Sequence, residues 1–478
     1  MVTVFNSTKS KQKSIKDSRP PIFGRKVTST FKPYFAFKHA KGRNVNVFVI
    51  PFIVFASIIK NLPFLISMRF YLKKVRKNKD CSDISVLYYS DNLDEVNGIA
   101  NNLRHVVNYM QKNGYKAGLA GSAFNTRPTG VIENSYIFLT PRLFSMEQLG
   151  YANSELAIPN LSPVLKLFKR YPPDIIELET PSPGAWVVAF GAKIMGIKVI
   201  SHYRTDVPTY TKTLVKEKWM HHLVLFLMRV FYKMTMPVIS PCQEYQKILQ
   251  EEIRIPSDQI QILPRGIPLE DFSPQLRGKG AWARFASDHP VRFLFVGRIS
   301  KEKDLPFLED LWMSLREKTS QAELLFVGDG WYLDSLKKNF QEAPEVFFAG
   351  EQGGETLASL YADADYFLFP SGTDTFGNVV VESLASGTPA IVTDKGGPQD
   401  IIKGKDCGFV LKFRDKEKWL DSLLNCIDIK INQPHLYAQM RENAFKTSRI
   451  YSLENTSKNQ WEYFKKLCKN YYKKPQAK

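Results

Sequence analysis

The strongest constraint in this chain is a repeated unit. "VRFLFVGRISKEKDL" (291–305) and "AELLFVGDGWYLDSLKK" (322–338) each read as an apolar strand, a glycine turn and a helix. The runs "VFFAG", "ADYFLFP", "PAIVTD" and "GFVL" continue the series. Upstream, "ISVLYY", "PDIIELETPSP", "KVISHYRTDVP" and "MPVISPCQEYQKIL" repeat it, the first followed by a helix closed at Gly114. Buried strands alternating with helices mean parallel sheets with crossover connections. The pattern predicts two doubly wound, Rossmann-like units joined around residues 265–290. One spans 80–285 and the other 286–450, followed by a C-terminal helix within 451–478. That helix, expected near 453–470, lies too far from the strand pattern to be placed by periodicity.

Charge separates a further segment. Residues 1–79 hold 18 Lys or Arg against one acid, Asp17, while the rest of the chain holds 48 against 46. The body is therefore nearly neutral, which argues against a nucleic-acid binder with a basic folded face. Residues 1–43 are polar and basic, a composition that predicts poor order. Then comes "NVNVFVIPFIVFASIIKNLPFLISMRFYLKKVRKNK". Its longest charge-free stretch, Asn44 to Ile59, is shorter than the ~20 residues of a spanning helix. Pro51, Lys60, Asn61 and Pro63 interrupt it. Both flanks are basic, so orientation is not specified, and no secretory cleavage site follows. An apolar segment between basic flanks suits an anchor lying on, or shallowly inserted into, anionic lipid. The other reading is a helix packed on the protein's own body. Residues 1–79 are taken as a membrane-associating extension, and the core from Ser82 onward is expected to fold without it. The five cysteines are scattered, with no metal-ligand spacing, and read as free thiols.

The loops carry the chemistry, because ligands of open α/β sheets bind at the strands' carboxyl ends. Gly297 permits a tight turn, and Arg298 and Lys303 can converge on one anion above a helix start. Alone, that loop reads as two solvated cations, and the Gly328/Gly330 turn as an ordinary connection. In "SGTDTFGNVVVE", Asp374 and Glu382 flank a turn at Gly377 whose amides can meet hydroxyls or phosphate. Carboxylates accept well from vicinal hydroxyls, so the pair fits sugar binding. Without that context they read as an N-cap and a surface acid. No phosphate-binding GxxxxGK[ST] loop occurs at these turns.

Together "GRISKEKDL", "VGDG", "SGTDTFGNVVVESLASGTPAIVTDKGG" and "ILPRGIPLEDFSP" resemble retaining glycosyltransferases of family 4, which have the GT-B fold. "DEVNGIANNLR", "PSPGAWVVAFGAKIMGIKVISHYRTDVPTY" and "VISPCQEY" resemble the acceptor-side half of that family. The likeness covers roughly residues 82–450 and is nearest to enzymes that glycosylate diacylglycerol or phosphatidylinositol with sulfoquinovose, mannose or glucose. It implies that Arg298 and Lys303 bind the donor diphosphate, that Glu382 holds the ribose and that Asp374 lies beside the donor sugar. It further implies that the amides around Phe376, Gly377 and Asn378 contact sugar and phosphate. Phe348 and Gly350 would line the base pocket, and the Asn97-Gly98 loop would approach the diphosphate from the other domain. Two positions depart from the pattern. Asp374 replaces the usual Glu, and the acceptor-side Tyr-His-Thr reads Tyr203-Arg204-Thr205, with His202 two positions before Arg204.

The resemblance implies a hexosyltransferase using a nucleotide sugar as co-substrate, retaining the anomeric configuration, needing neither cofactor nor metal. It would act in glycolipid synthesis at the cytoplasmic face of a membrane, with a lipid acceptor, an anionic surface and no nucleic acid as partners. Two alternatives stand beside it. One is a non-catalytic membrane adaptor on a degenerate transferase, supported by Arg204 and Asp374. The other is a soluble transferase building polysaccharide.

Overall fold

A computed structural model of the chain describes residues 45–76, 81–93, 98–123, 137–147, 155–159, 168, 171–208 and 218–472. The reading of residues 1–43 lies outside them, as does Asn97.

The N-terminal domain is built on eight strands: β1 Ser85–Asn92, β2 Lys116–Ala123, β3 Ile137–Glu147, β4 Glu155–Pro159, β5 Ile175–Leu178, β6 Lys198–His202, β7 Val238–Ser240 and β8 Ile260–Ile262. Their order is β4-β3-β2-β1-β5-β6-β7-β8. All pair in parallel except β4, which runs antiparallel to β3 at the edge. The C-terminal domain has six parallel strands, β9 Val291–Val296, β10 Ala322–Val327, β11 Val346–Gly350, β12 Tyr366–Phe369, β13 Ala390–Thr393 and β14 Gly408–Leu411, ordered β11-β10-β9-β12-β13-β14. Each sheet reverses its winding beside its first strand, at β1/β5 and β9/β12, where such sheets bind ligands.

Along β1, side chains alternate between two cores. Leu87 and Tyr89 face one core, and Val86 and Tyr88 face the other. The first core is covered by the helices Val45–Arg76, Pro183–Met195 and Lys218–Met234. The second is covered by Gly98–Lys112 and by the C-terminal helix Leu453–Tyr472, through Trp461, Phe464 and Cys468. So the last helix returns to the first domain. Tyr88 Oη donates to Gln460 at 3.2 Å across 372 residues, and the Cys81 and Cys468 thiols meet at 3.2 Å. The two interdomain crossings lie together: Ile267 N–H donates to Tyr451 O at 2.9 Å, and Leu453 N–H to Ile267 O at 3.2 Å.

The apolar N-terminal segment is one continuous helix of 32 residues, with Pro51, Lys60 and Pro63 inside it. Among the described residues no helix is long and apolar enough to cross a membrane. Leu65, Met68 and Leu72 are buried in the first core, and Arg76 pairs with Asp174 at 3.7 Å. The first core therefore includes three residues from before Ser82, so it is not made by the α/β unit alone. The second half of the helix is packed on the body: Leu65, Met68 and Leu72, spaced three and four apart, join the first core, and Arg69 donates to the Ile194 carbonyl at 3.2 Å.

Candidate active site

On the donor side, the turn after β9 carries Arg298 and Lys303. Gly297 sits at φ +154°, and a Cβ on Gly328 would come within 2.0 Å of the Gly297 carbonyl, so both glycines are needed for the two turns to touch. Lys303 Nζ donates to both oxygens of Asp374 at 2.8 Å. Arg298 is largely exposed and lies 3.6 Å from Glu302. Thr373 Oγ1 donates to the Glu302 carbonyl at 3.1 Å, closing the β9 turn onto the β12 loop. Each cation thus faces a carboxylate.

The β12 loop ends at the helix Asn378–Ala385, entered through Gly377 at φ +95°. A Cβ on Gly397 would lie 2.2 Å from the Thr375 carbonyl, and Gly397 N–H donates to Asp374 O at 2.8 Å. The "KGGP" run therefore supports the loop from behind. The first turn of that helix directs amides and a positive dipole end outward. Asn378 Oδ1 is buried with no hydrogen-bond partner among the described residues. Phe376 is buried edge-on against Tyr451, 5.6 Å between centroids, so it offers only its backbone to the cleft. Glu382 lies on the same helix, half-buried, and accepts from Tyr361 Oη at 3.0 Å. Burial pushes its carboxyl up to about 7, and the Tyr361 hydrogen bond opposes that rise. Phe348 stacks on Phe326 at 5.3 Å, and Gly350, at φ +66°, accepts from Gly328 N–H at 2.8 Å.

On the acceptor side, alternate residues of neighbouring strands pair. His202 Nδ1 lies 2.9 Å from Glu177 Oε1, and Arg204 Nε donates to Glu179. Arg204 also donates to Asn102 Oδ1 at 3.1 Å, and Asn102 donates to Gly266 O at 2.6 Å. Gln460, from the C-terminal helix, donates to Glu177 Oε2 at 2.9 Å. Burial raises both carboxyls, Glu177 well above the ordinary range with the neighbouring charge of Glu179 adding to it. Burial, with Arg204 and Arg265 beside it, holds His202 well below its usual range. Glu179 Oε1 and His202 Nε2 are buried with no partner among the described residues.

Glu177, Glu179 and His202 each bring a donor atom within 4.8 Å of the others, a grouping that sequence spacing did not reveal. The two guanidinium groups alongside oppose a cation there. Tyr203 does not join this cluster. It is buried on the opposite face, donating to Asp206 at 3.2 Å and packed on Tyr232 and Tyr245. Thr205 is half-buried just beyond, and Gly98 opens the helix above β1.

The two sides meet at several hydrogen bonds, among them those to the Arg204 carbonyl. The Arg204 carbonyl accepts from Thr375 Oγ1 and from Arg265, each at 2.9 Å. Arg265 also donates to Thr375 Oγ1 at 3.2 Å, and burial beside Arg204 pushes its guanidinium down to about 9. Nearby, Asp400 accepts from the Gln243 and Glu244 amides at 2.6 and 3.2 Å. Glu177, Glu179, Asn102, Arg265 and Tyr361 were not singled out from sequence. The available signal was two acids within and just after an otherwise apolar strand, "IIELE".

Comparison with known proteins agrees with the two-domain fold. Residues 283–447 match the family model for glycosyl transferases group 1, and residues 96–271 match that for glycosyltransferase family 4. The chain is 28% identical over 343 residues to a sulfoquinovosyl transferase of Arabidopsis thaliana, covering 69% of this chain and 63% of that protein's length. It is 26% identical to a GDP-mannose-dependent alpha-mannosyltransferase of Mycobacterium tuberculosis (67% of this chain, 81% of that one). It is also 26% identical to an alpha-monoglucosyldiacylglycerol synthase of Streptococcus pneumoniae (66% and 72%). Among solved structures it resembles sucrose-phosphate synthase from Thermosynechococcus elongatus, with a TM-score of 0.62 at 17% identity over 80% of this chain and 99% of that one.

Proposed function

The chain belongs to the family 4 glycosyltransferases of GT-B fold, and from that premise we propose that it moves a hexose from a nucleoside diphosphate sugar to a membrane lipid, with retention. The observation that carries this reading is the Lys303–Asp374 contact at the β9/β12 reversal, beside Arg298 and the helix start at Asn378. In this reading the donor diphosphate takes the place of Glu302 and Asp374 against the two cations. Asp374, released, accepts from a sugar hydroxyl. Glu382 accepts from the ribose, and Phe348 and Gly350 flank the base. As the bond from the sugar to the diphosphate breaks, Arg298, Lys303 and the helix amides stabilise the charge that develops on the leaving oxygen. The acceptor hydroxyl attacks from the same face and passes its proton to that phosphate oxygen, so no protein nucleophile is required. No metal enters the scheme. Arg204 and His202 form the acceptor-side wall, with Glu179 and Glu177 fixing their orientation.

The lipid acceptor is supported by the diacylglycerol in the name of the Streptococcus relative. The basic extension would hold the enzyme at the cytoplasmic face, each cation near anionic lipid contributing about 1 kcal/mol. The test is a panel of radiolabelled nucleotide sugars, UDP-glucose and GDP-mannose among them, incubated with total lipid extract. A labelled glycolipid is expected. Arg298→Ala should lower its formation by about 10²-fold or more with an unchanged circular dichroism spectrum. Label in polysaccharide alone, or near-normal turnover in the variant, would overturn the assignment.

A further inference from the structure

Three neighbouring helices of the N-terminal domain, Val45–Arg76, Pro183–Met195 and Lys218–Met234, contain no Asp or Glu and nine Lys or Arg. They are packed side by side. Arg69 donates to Ile194 O at 3.2 Å, and Trp186 lies 5.3 Å from Phe231. The first helix is apolar on two faces. Leu65, Met68 and Leu72 go into the core, whereas Phe55, Ile59, Leu62, Ile66 and Phe70 form a second stripe, spaced three and four apart, that points out. Phe55 and Phe70 are 64% and 69% exposed. The third helix repeats this arrangement. Met228, Phe231 and Tyr232 are buried, while Trp219, Phe226 and Val230 face out, Phe226 at 59% exposure. Phe190 adds an aromatic ring from the helix between them. Exposed apolar stripes on adjacent helices mark an interaction surface.

Charge decides what covers this surface. Residues 1–44 hold eleven Lys or Arg against Asp17, so folding them over the face would bring cation onto cation. A second copy of the chain, face to face, would do the same. An anionic bilayer satisfies both the rings and the charges. We propose that the folded N-terminal domain docks on anionic lipid through this three-helix face, with Lys218–Met234 as a second membrane-contacting limb beside the N-terminal helix. The inference rests on the membrane reading above and adds a built surface to the extension. Helix Lys218–Met234 also follows the His202–Thr205 segment after twelve residues. Lipid contact there draws the acceptor-side strand end toward the headgroups.

The test uses the full chain, carrying Trp219→Ala with Phe226→Glu, in flotation with phosphatidylcholine vesicles with and without phosphatidylglycerol. Both side chains are exposed, so UDP and GDP binding and the melting temperature should match wild type. Wild type should float with the anionic vesicles, and the double variant should partition at least about tenfold less. Brominated lipid should quench wild-type fluorescence, and Trp219→Phe should remove part of that quenching. If wild type floats and the double variant floats equally well, the second limb is refuted and the extension remains the anchor. If wild type does not float with anionic vesicles, both readings fall together.

Discussion

Glu382→Gln tests the donor site through pH. The carboxyl of Glu382 rises from 4.5 to about 7 because burial disfavours its charged form. That rise corresponds to about 3 kcal/mol between its protonated and charged forms. A ribose whose hydroxyls donate to this group selects the carboxylate. With a midpoint near 7, the charged fraction falls about tenfold between pH 8 and pH 6, and donor affinity should fall with it. A nucleotide sugar is the right probe, because its diphosphate is doubly esterified and does not itself titrate in this range. Calorimetry across pH 6–8 should give that slope for wild type. Glu382→Gln should show a flat and weaker profile. Tyr361→Phe removes a donor to the charged form and should move the midpoint to higher pH. Stability has the opposite sign. A carboxyl raised in the folded state costs nothing below its unfolded value, and its cost grows as pH climbs toward 7. Glu382→Gln should therefore match wild type at pH 4 and exceed it at pH 8 by about 1–2 kcal/mol, the full figure being discounted for partial exposure. A pH-independent wild-type affinity, or an unchanged slope in Glu382→Gln, would refute the assignment.

Arg204→Ala strands the buried Glu179 and should cost about 3–5 kcal/mol of stability by urea unfolding. The double variant Arg204→Ala, Glu179→Gln should recover most of that loss without recovering lipid glycosylation, and full activity in it would reduce Arg204 to a structural role. Phe464→Ala should cost about 3–5 kcal/mol, and hydrogen exchange should loosen Gly98–Lys112 rather than the C-terminal sheet. Unchanged protection there would contradict the packing of the last helix on the first domain.

The placement of the donor-side loops was legible because it is local. Arg298, Lys303 and Asp374 follow strand ends that alternation identifies, Glu382 lies in the helix beyond, and a glycine marks each turn. The acceptor half was less so. His202 and Arg204 share a face by the two-residue period of an extended segment, but Tyr203, between them, turns into the core for the same reason. Glu177 and Glu179 are single acids in a short apolar run, and nothing local shows that they meet His202 and Arg204 across a strand pair. Gln460 could not be found at all, since its contact with Glu177 spans 283 residues. The N-terminal helix was ambiguous because it is apolar all round, and only the packing of Leu65, Met68 and Leu72 assigns one face to the body.

The return of Leu453–Tyr472 to the first domain bears on how the chain is made. A ribosome delivers the N-terminal sheet first, and domains generally fold in that order. Here the earlier domain leaves the exit tunnel without Trp461, Phe464 and Gln460. One of its cores is open, and Glu177 lacks its amide partner until Leu453–Tyr472 emerges. The later domain, whose core is its own apart from the two crossing segments, can close before the earlier one. Premature termination anywhere in the last helix thus damages the half of the enzyme that was synthesised first.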